Sequence, residues 1–363
     1  MSQPATIPTV DLDDVRSGDP ERMRRGAEAL RRGLGEFGLV YVRGHGIDPE
    51  RLGRLYDAFV EFTDRPLEEK QALSGEDIWF QRGWTPPNTE QAVLAGGQPD
   101  FKECYFAAPI EIDPRAKLLF PETCADNRWP RGGDTFREDY LAIGRDVHDV
   151  GLALLRAAAL ALGLEETAFA ELSQGAPHVS RLLRYLPLTE EQVGTHILWG
   201  EEHTDFNLLT LLPGGRFYDP NGRPCAKPDP DAGLYLRTRA TPQEPRGRMV
   251  HGTPPPGCLV AQVGQQLEIL TGGVYQATPH VIRPPAAADY TRTAFAHFVH
   301  VHPERKLLPL DPFVTAESLR AYGPPVLAGT YGLKTLVDIG LAPKSALSKL
   351  GYRHYDRLAA ARS

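Results

Sequence analysis

The stretch "EEHTDFNLLTLL", Glu201–Leu212, opens with two acids, a histidine and an aspartate and then runs into an almost unbroken apolar segment. A short apolar run bounded by polar and turn residues reads as a strand buried on both faces. The chain around it has the same character. From His178 onward come "HVSRLLRYLPL", "FNLLTLLP", "GLYLRT", "GCLVAQVG", "TPHVIRP" and "YTRTAFAHFVHVH", separated by Gly- and Pro-rich turns. Short strands in succession, with no helices expected between them, predict a sandwich or jelly-roll barrel rather than a parallel α/β sheet. The Pro/Gly-rich insertions "PGGRFYDPNGRPCAKPDPDAG" and "TRATPQEPRGRMVHGTPPPG" are expected as rim loops.

Upstream the pattern is mixed. "IPTVDL" and "LVYVRGHGI" alternate as strands do, and each is followed by a segment of helical periodicity with an Asp-Pro start. Ile78 to about Asp139 is rich in Pro, Gly and aromatics without periodicity and predicts ordered loops. "GRDVHDVGLALLRAAALALGL" predicts a long buried helix. The fold class is therefore mainly β with an α-helical layer. The expected organisation is an N-terminal α/β region over residues 1–110, a connecting helical segment over 111–177, the barrel over 178–305 and a helical tail over 306–363.

Composition narrows the partners. The 363 residues carry 40 Lys and Arg against 47 Asp and Glu, a formal charge of −7, with no dense basic block. Nucleic acid is thus not expected as the main ligand. Cys104, Cys124, Cys225 and Cys258 are widely spaced and read as reduced thiols. The N-terminus lacks the pattern of a signal peptide and no apolar run is long enough to span a bilayer, so a soluble cytoplasmic protein is expected, a monomer or weak homo-oligomer.

His203 and Asp205 are two apart and would share one face of a strand, and His280 lies in a separate β segment, "GGVYQATPHVI". Two imidazoles and one carboxylate on one face of an octahedron leave open positions, as in non-haem Fe(II) oxygenases that hold a cosubstrate and O2 together. Arg292, in the alternating "YTRTAFAHF", would place a guanidinium inside the barrel, where it needs an anion. Arg283 competes for that role, but the apolar alternation around Arg292 favours the latter. Phe298 shares the face of Arg292 and is a candidate wall of a substrate cavity. Phe80 and Trp84, with Trp79, are candidates for a lid. His300 and His302 are expected to be exposed or hydrogen-bonded rather than ligating.

Taken in order, "EEHTDFNLLTLL", "LEILTGGVYQATPHVI" and "YTRTAFAHFVHVHP" resemble the signature segments of the isopenicillin N synthase-like Fe(II)/2-oxoglutarate-dependent dioxygenases, and "IPTVDL" and "FGLVYVRGHGI" resemble their usual opening. The resemblance spans about Ile7 to His302. Arg-x-Ala in place of Arg-x-Ser and "QPDFKECYF" are closest to bacterial members similar to the ethylene-forming enzyme. It implies a double-stranded β-helix (jelly-roll) core. It assigns His203, Asp205 and His280 to Fe(II) and Arg292 to the far carboxylate of 2-oxoglutarate, with Arg181 beside the bound acids. It departs from the family at Ala294, where a serine hydroxyl is usual, in a longer His280 to Arg292 interval, and in a tail without the polar contacts that grip arginine in the ethylene-forming enzyme.

The implied reaction takes O2 and 2-oxoglutarate, releases succinate and CO2, and oxidises a small metabolite, most often by hydroxylation, with desaturation or ring closure as other outcomes. Ascorbate is expected to stimulate it. The competing readings are an isopenicillin N synthase-type iron oxidase that needs no 2-oxoglutarate, and a non-catalytic jelly-roll binding protein.

Overall fold

Asp-Pro starts work here as helix caps. Asp19 accepts from the backbone N–H groups of Glu21 and Arg22 and opens the helix Pro20–Glu36, and Asp48 does the same through Glu50 for Pro49–Thr63. The computed structural model describes residues 6–90, 101–239 and 244–350. Gln98–Asp100 of the "QPDF" loop and the tail beyond Leu350 lie outside the described residues.

The strands of the two main sheets, in chain order, are β1 (Thr9–Asp11), β2 (Leu39–Arg43), β3 (Gly83–Thr85), β4 (Lys102–Ala107), β5 (Val179–Tyr185), β6 (Gly200–His203), β7 (Leu209–Leu212), β8 (Gly215–Tyr218), β9 (Pro224–Cys225), β10 (Gly233–Arg237), β11 (Met249–His251), β12 (Leu259–Val263), β13 (His280–Arg283) and β14 (Thr291–Val299). The larger sheet runs β1-β2-β12-β7-β14-β5-β4-β3, with β8 also on β14 and β9 on β8, and the smaller runs β11-β10-β13-β6. Apart from the parallel β1–β2 pair the ladders are antiparallel. This is the expected jelly roll.

Alternation divides the large sheet into two faces. Leu182, Leu209, Leu211, Phe295 and Val299 pack outward with Val147, Val150 and Leu154 of the helix Asp134–Ala161. Cys104, Phe106, Leu183, Tyr185, Phe217, Ala294 and Ala296 point the other way and, with Trp199 and Ile282, fill the barrel interior. Leu234 and Leu236 of the smaller sheet close onto Leu39, Tyr41 and Val260. Burying both faces removes the polar alternation that would mark these strands in sequence.

Two expectations are corrected. The segment Ile78–Asp139 is not all loop: it holds β3, β4 and the helix Pro114–Leu119. All six residues of β4 are buried, so "KECYFA" carries no period of two to read. The succession of strands after His178 is also broken by a helix, Gln265–Leu270, between β12 and β13. The N-terminal region forms edges of the barrel's own sheet, β1 and β2 beside β12, β3 and β4 beside β5. Among the described residues no helix is long and apolar enough to cross a membrane.

Candidate metal centre and cosubstrate pocket

His203 ends β6 and pairs directly with His280, the first residue of β13. Their ring centroids are 4.3 Å apart. Asp205 lies past the end of β6, so it reaches the same point from a loop rather than by strand alternation. That loop is held closely. Gln265 donates its backbone N–H to the carbonyl of Asp205 at 2.8 Å and its side-chain amide to Thr204 Oγ1 at 2.6 Å. A Cβ on Gly264 would fall 2.1 Å from the carbonyl oxygen of Asn207, which is why only glycine fits where the helix turns in against this loop.

Asp205 Oδ1 is 3.6 Å from His203 Nε2 and 3.9 Å from His280 Nε2. Each side chain is fixed from behind through its other polar atom. His203 Nδ1 donates to the carbonyl of Glu201 at 2.6 Å, and Asp205 Oδ2 accepts from Thr210 Oγ1 at 2.7 Å. His280 Nδ1 is 3.2 Å from the carbonyl of Thr278. A carbonyl can only accept, so both Nδ1 atoms carry protons and both Nε2 atoms face Asp205. Burial pushes the Asp205 carboxyl up, but the imidazoles of His280 and His203 and the Thr210 hydroxyl outweigh it and hold the group ionised well below the usual range. Burial and the neighbouring His203 pull His280 down to about 4. Burial opposes protonation of His203, but the hydrogen bond and charge of Asp205 outweigh it and raise that imidazole, so a bound ion would replace a proton between the two.

No other His, Cys, Asp or Glu joins the group among the described residues. Two imidazole nitrogens and one carboxylate oxygen without a fourth protein ligand fit Fe(II) with positions left for other ligands, and do not fit a closed structural site.

Arg292 stands at the start of β14 on the interior face, opposite Tyr185. Its guanidinium lies 5.5 Å from the Tyr185 ring and 5.7 Å from that of Phe217, and among the described residues it has no acidic partner. A Cβ on Gly215 would come within 2.8 Å of its Nη2, so the glycine leaves the arginine its room. Arg283 faces elsewhere and stacks over Tyr235 at 4.1 Å. Tyr185 and Lys227, which the sequence does not single out, lie near Arg292. Tyr185 shares the alternation of Arg181 and Leu183 and could have been found from it. Burial, then the field of Arg292, lowers the Lys227 ammonium, whose Nζ donates to the Pro230 carbonyl at 2.8 Å. Lys227 lies in a Pro-rich rim loop with no period to follow.

The remaining candidates separate. Arg181 reaches the interior as expected, but it is in an ion pair with Glu90 and its guanidinium lies 4.6 Å from the Phe106 ring. Phe298 faces inward opposite Thr210, the residue that holds Asp205. Trp84 is a correction to the lid. Its ring is buried among the helix-side core, Nε1 donates to Glu103 Oε2 at 2.8 Å, and the side chain therefore faces away from the barrel interior. Phe80 and Trp79 adopt left-handed backbone, φ 57° and 54°, and pack against Leu333 and Leu336 of the tail helix Ala328–Asp338. Bulky residues in that conformation are strained and are held there by surrounding packing. His300 and His302 are both buried, His300 with its ring 5.3 Å from that of Phe206 and His302 with Nε2 3.3 Å from Asp113.

Residues 7–132 match the family described as the N-terminal region of the non-haem dioxygenase in morphine synthesis. The chain is 28% identical over 290 residues to homoarginine-6-hydroxylase 2-ODD-233 of Oryza sativa subsp. japonica, covering 76% of this chain and 80% of the relative. It is 26% identical over 318 residues to validamycin A dioxygenase of Streptomyces hygroscopicus subsp. limoneus, covering 84% and 80%. Among solved structures it superposes on a Caulobacter crescentus protein described as of the 2OG-Fe(II) oxygenase family, with TM-score 0.74, 25% identity and coverage of 93% and 100%. A full-length Neurospora crassa protein solved in complex with alpha-KG shares the fold with TM-score 0.72 at 22% identity, over 91% and 96% of the two chains. Joined to a three-ligand centre of this geometry, these matches indicate that the chain is of the 2-oxoglutarate/Fe(II)-dependent oxygenase superfamily.

Proposed function

We infer that the protein is a 2-oxoglutarate-dependent dioxygenase that oxidises a small molecule, consuming O2 and 2-oxoglutarate and releasing succinate and CO2. The observation that carries this reading is one barrel interior holding both an open His203/Asp205/His280 centre and Arg292, a guanidinium with no acidic partner among the described residues. Bound iron supplies the activation of O2.

The chain's own residues do the rest. Asp205 brings the negative charge that favours a divalent ion, and Thr210 keeps Oδ2 occupied so that Oδ1 faces the two Nε2 atoms. Arg292 takes the distal carboxylate of 2-oxoglutarate, with the Tyr185 hydroxyl supplying a contact that Ala294 lacks. Arg181, with Glu90 as its resting partner, stands beside the bound acids. Phe298 shields the centre from water and forms part of the substrate wall. Hydroxylation is the expected outcome. Ascorbate should stimulate by keeping iron ferrous.

The motif likeness to bacterial members similar to the ethylene-forming enzyme concerns the shared centre and does not extend to the reaction. In the tail, Gly332 lies beside Phe206, Leu333 and Leu336 are buried against Trp79, the Tyr331 hydroxyl is taken up by Gln265 and the Asp338 carboxylate by Lys334. Succinate formed in step with substrate consumption tests the reading. Substrate oxidation without 2-oxoglutarate would favour an isopenicillin N synthase-type oxidase, and metal binding without any turnover would favour a binding protein.

A further inference from the structure

Gln262 is a β12 residue with 1% of its surface exposed, and its side chain crosses the barrel to the other sheet. Its Nε2 lies 2.7 Å from His280 Nδ1, while its Oε1 is buried without a hydrogen-bond partner. This arrangement conflicts with the rest of the site. His280 Nδ1 already faces the Thr278 carbonyl at 3.2 Å and so carries a proton, which sets an amide N–H against an imidazole N–H. The other tautomer would relieve that clash by moving the proton to Nε2, the atom that faces Asp205 at 3.9 Å, and would thereby block a metal.

Turning the amide by half a revolution exchanges two groups of nearly equal size and shape and resolves the clash at Nδ1. Oε1 then accepts from Nδ1–H, and the amide nitrogen takes the position that Oε1 leaves. The neighbour across the ladder points the same way. Thr210 is the direct partner of Gln262 between β7 and β12, and its hydroxyl donates to Asp205 Oδ2. One cross-strand pair in the large sheet therefore braces two ligands carried outside that sheet.

We propose that Gln262 is a positioning residue of the metal centre: with Oε1 turned to His280 Nδ1 it holds the imidazole in the Nδ1–H tautomer and leaves Nε2 free for the ion. This rests on His280 being a metal ligand. Partners of ligating imidazoles commonly contribute about 10- to 100-fold to metal affinity.

The test uses the full chain without metal. Gln262→Met removes the acceptor at matched length, and Gln262→Glu keeps an acceptor in its place. Long-range proton–nitrogen NMR of the imidazoles reports the His280 tautomer, and Co(II) titration by calorimetry reports affinity. The expected result is the Nδ1–H form in the parent protein and in Gln262→Glu, with Co(II) affinity near normal. In Gln262→Met the tautomers should mix and Co(II) affinity should fall at least about tenfold. An unchanged tautomer and affinity in Gln262→Met would show that the Thr278 carbonyl suffices and overturn the proposal. Equal impairment of both variants would overturn it too, because it would trace the loss to packing. A parent protein that binds no Co(II) would remove the metal centre itself, and the proposal with it.

Discussion

His203 and His280 are direct cross-strand partners on β6 and β13, and the ladder that joins them sets the spacing of their Nε2 atoms around Asp205 Oδ1. The backbone thus positions two of the three proposed ligands without help from an ion. Removing either imidazole leaves two donors, too few to hold a labile divalent ion. His203→Ala and His280→Ala should each lose tight Fe(II) binding while keeping the parent's circular dichroism. Full iron content after anaerobic gel filtration of either variant would refute the assignment.

Arg292 should govern cosubstrate affinity without governing the metal. Truncating one side of a desolvated charged pair costs roughly 2 to 5 kcal/mol. Arg292→Ala should therefore raise the apparent constant for 2-oxoglutarate by about tenfold or more, with iron content near normal. Arg283→Ala is the control, since Arg283 stacks on Tyr235 away from Arg292. The reverse pattern, measured by succinate formation at varied 2-oxoglutarate, would place the anion site on the wrong strand.

The proposed ligands and Arg292 stand out in the sequence because their strands are clearly punctuated. Asp205 joins them by a different route from strand alternation: β6 stops at His203, and the carboxylate arrives through a loop fixed by Gln265. Trp84 departs from the expected lid because a tryptophan in an aperiodic stretch gives no sign of which face of β3 it takes, and β3 is recognisable only beside β4. The partners behind the ligands, Thr210 and Gln262, are hidden in apolar strands where a polar residue looks like a neutral substitution. Their role depends on register between β7 and β12, which no local pattern records.

Acid should destabilise the protein through a second histidine group. His148 Nδ1 and His297 Nε2 are 3.1 Å apart, His297 Nδ1 meets Ser180 Oγ at 2.9 Å, and the ring of His178 lies 4.4 Å from that of His148. Burial pulls His148 down to about 4, and burial with neighbouring imidazoles holds His178 and His297 well below their usual value. The folded state refuses protons that the unfolded chain accepts once pH falls below the ordinary value of about 6.5. Stability is therefore present above that pH and lost below it, by roughly 1.4 kcal/mol per pH unit for each histidine down to its folded value. Denaturant midpoints from pH 7.5 to 5 should fall, and fall less steeply in His148→Leu/His297→Leu. A parallel pH dependence in parent and variant would assign the acid sensitivity to other groups.

Free arginine should be a poor substrate and ethylene at most a trace product. A guanidinium entering a site without matching polar groups loses its hydration without repayment. Headspace gas chromatography with Fe(II), 2-oxoglutarate, ascorbate and arginine measures this directly. Ethylene as a major product would mean that the likeness to the ethylene-forming enzyme reaches as far as the reaction.

The central claim is that one barrel interior binds iron and 2-oxoglutarate together through His203, Asp205, His280 and Arg292. Anaerobic titration of the Fe(II)-loaded protein with 2-oxoglutarate, followed by visible absorption, tests it most directly, because a 2-oxo acid chelating Fe(II) gives a charge-transfer band that neither component shows alone. The account predicts a saturable band in the parent protein, none in His280→Ala, and in Arg292→Ala a band that needs at least about tenfold more 2-oxoglutarate. An iron-loaded parent protein that shows no band at any 2-oxoglutarate concentration would contradict it.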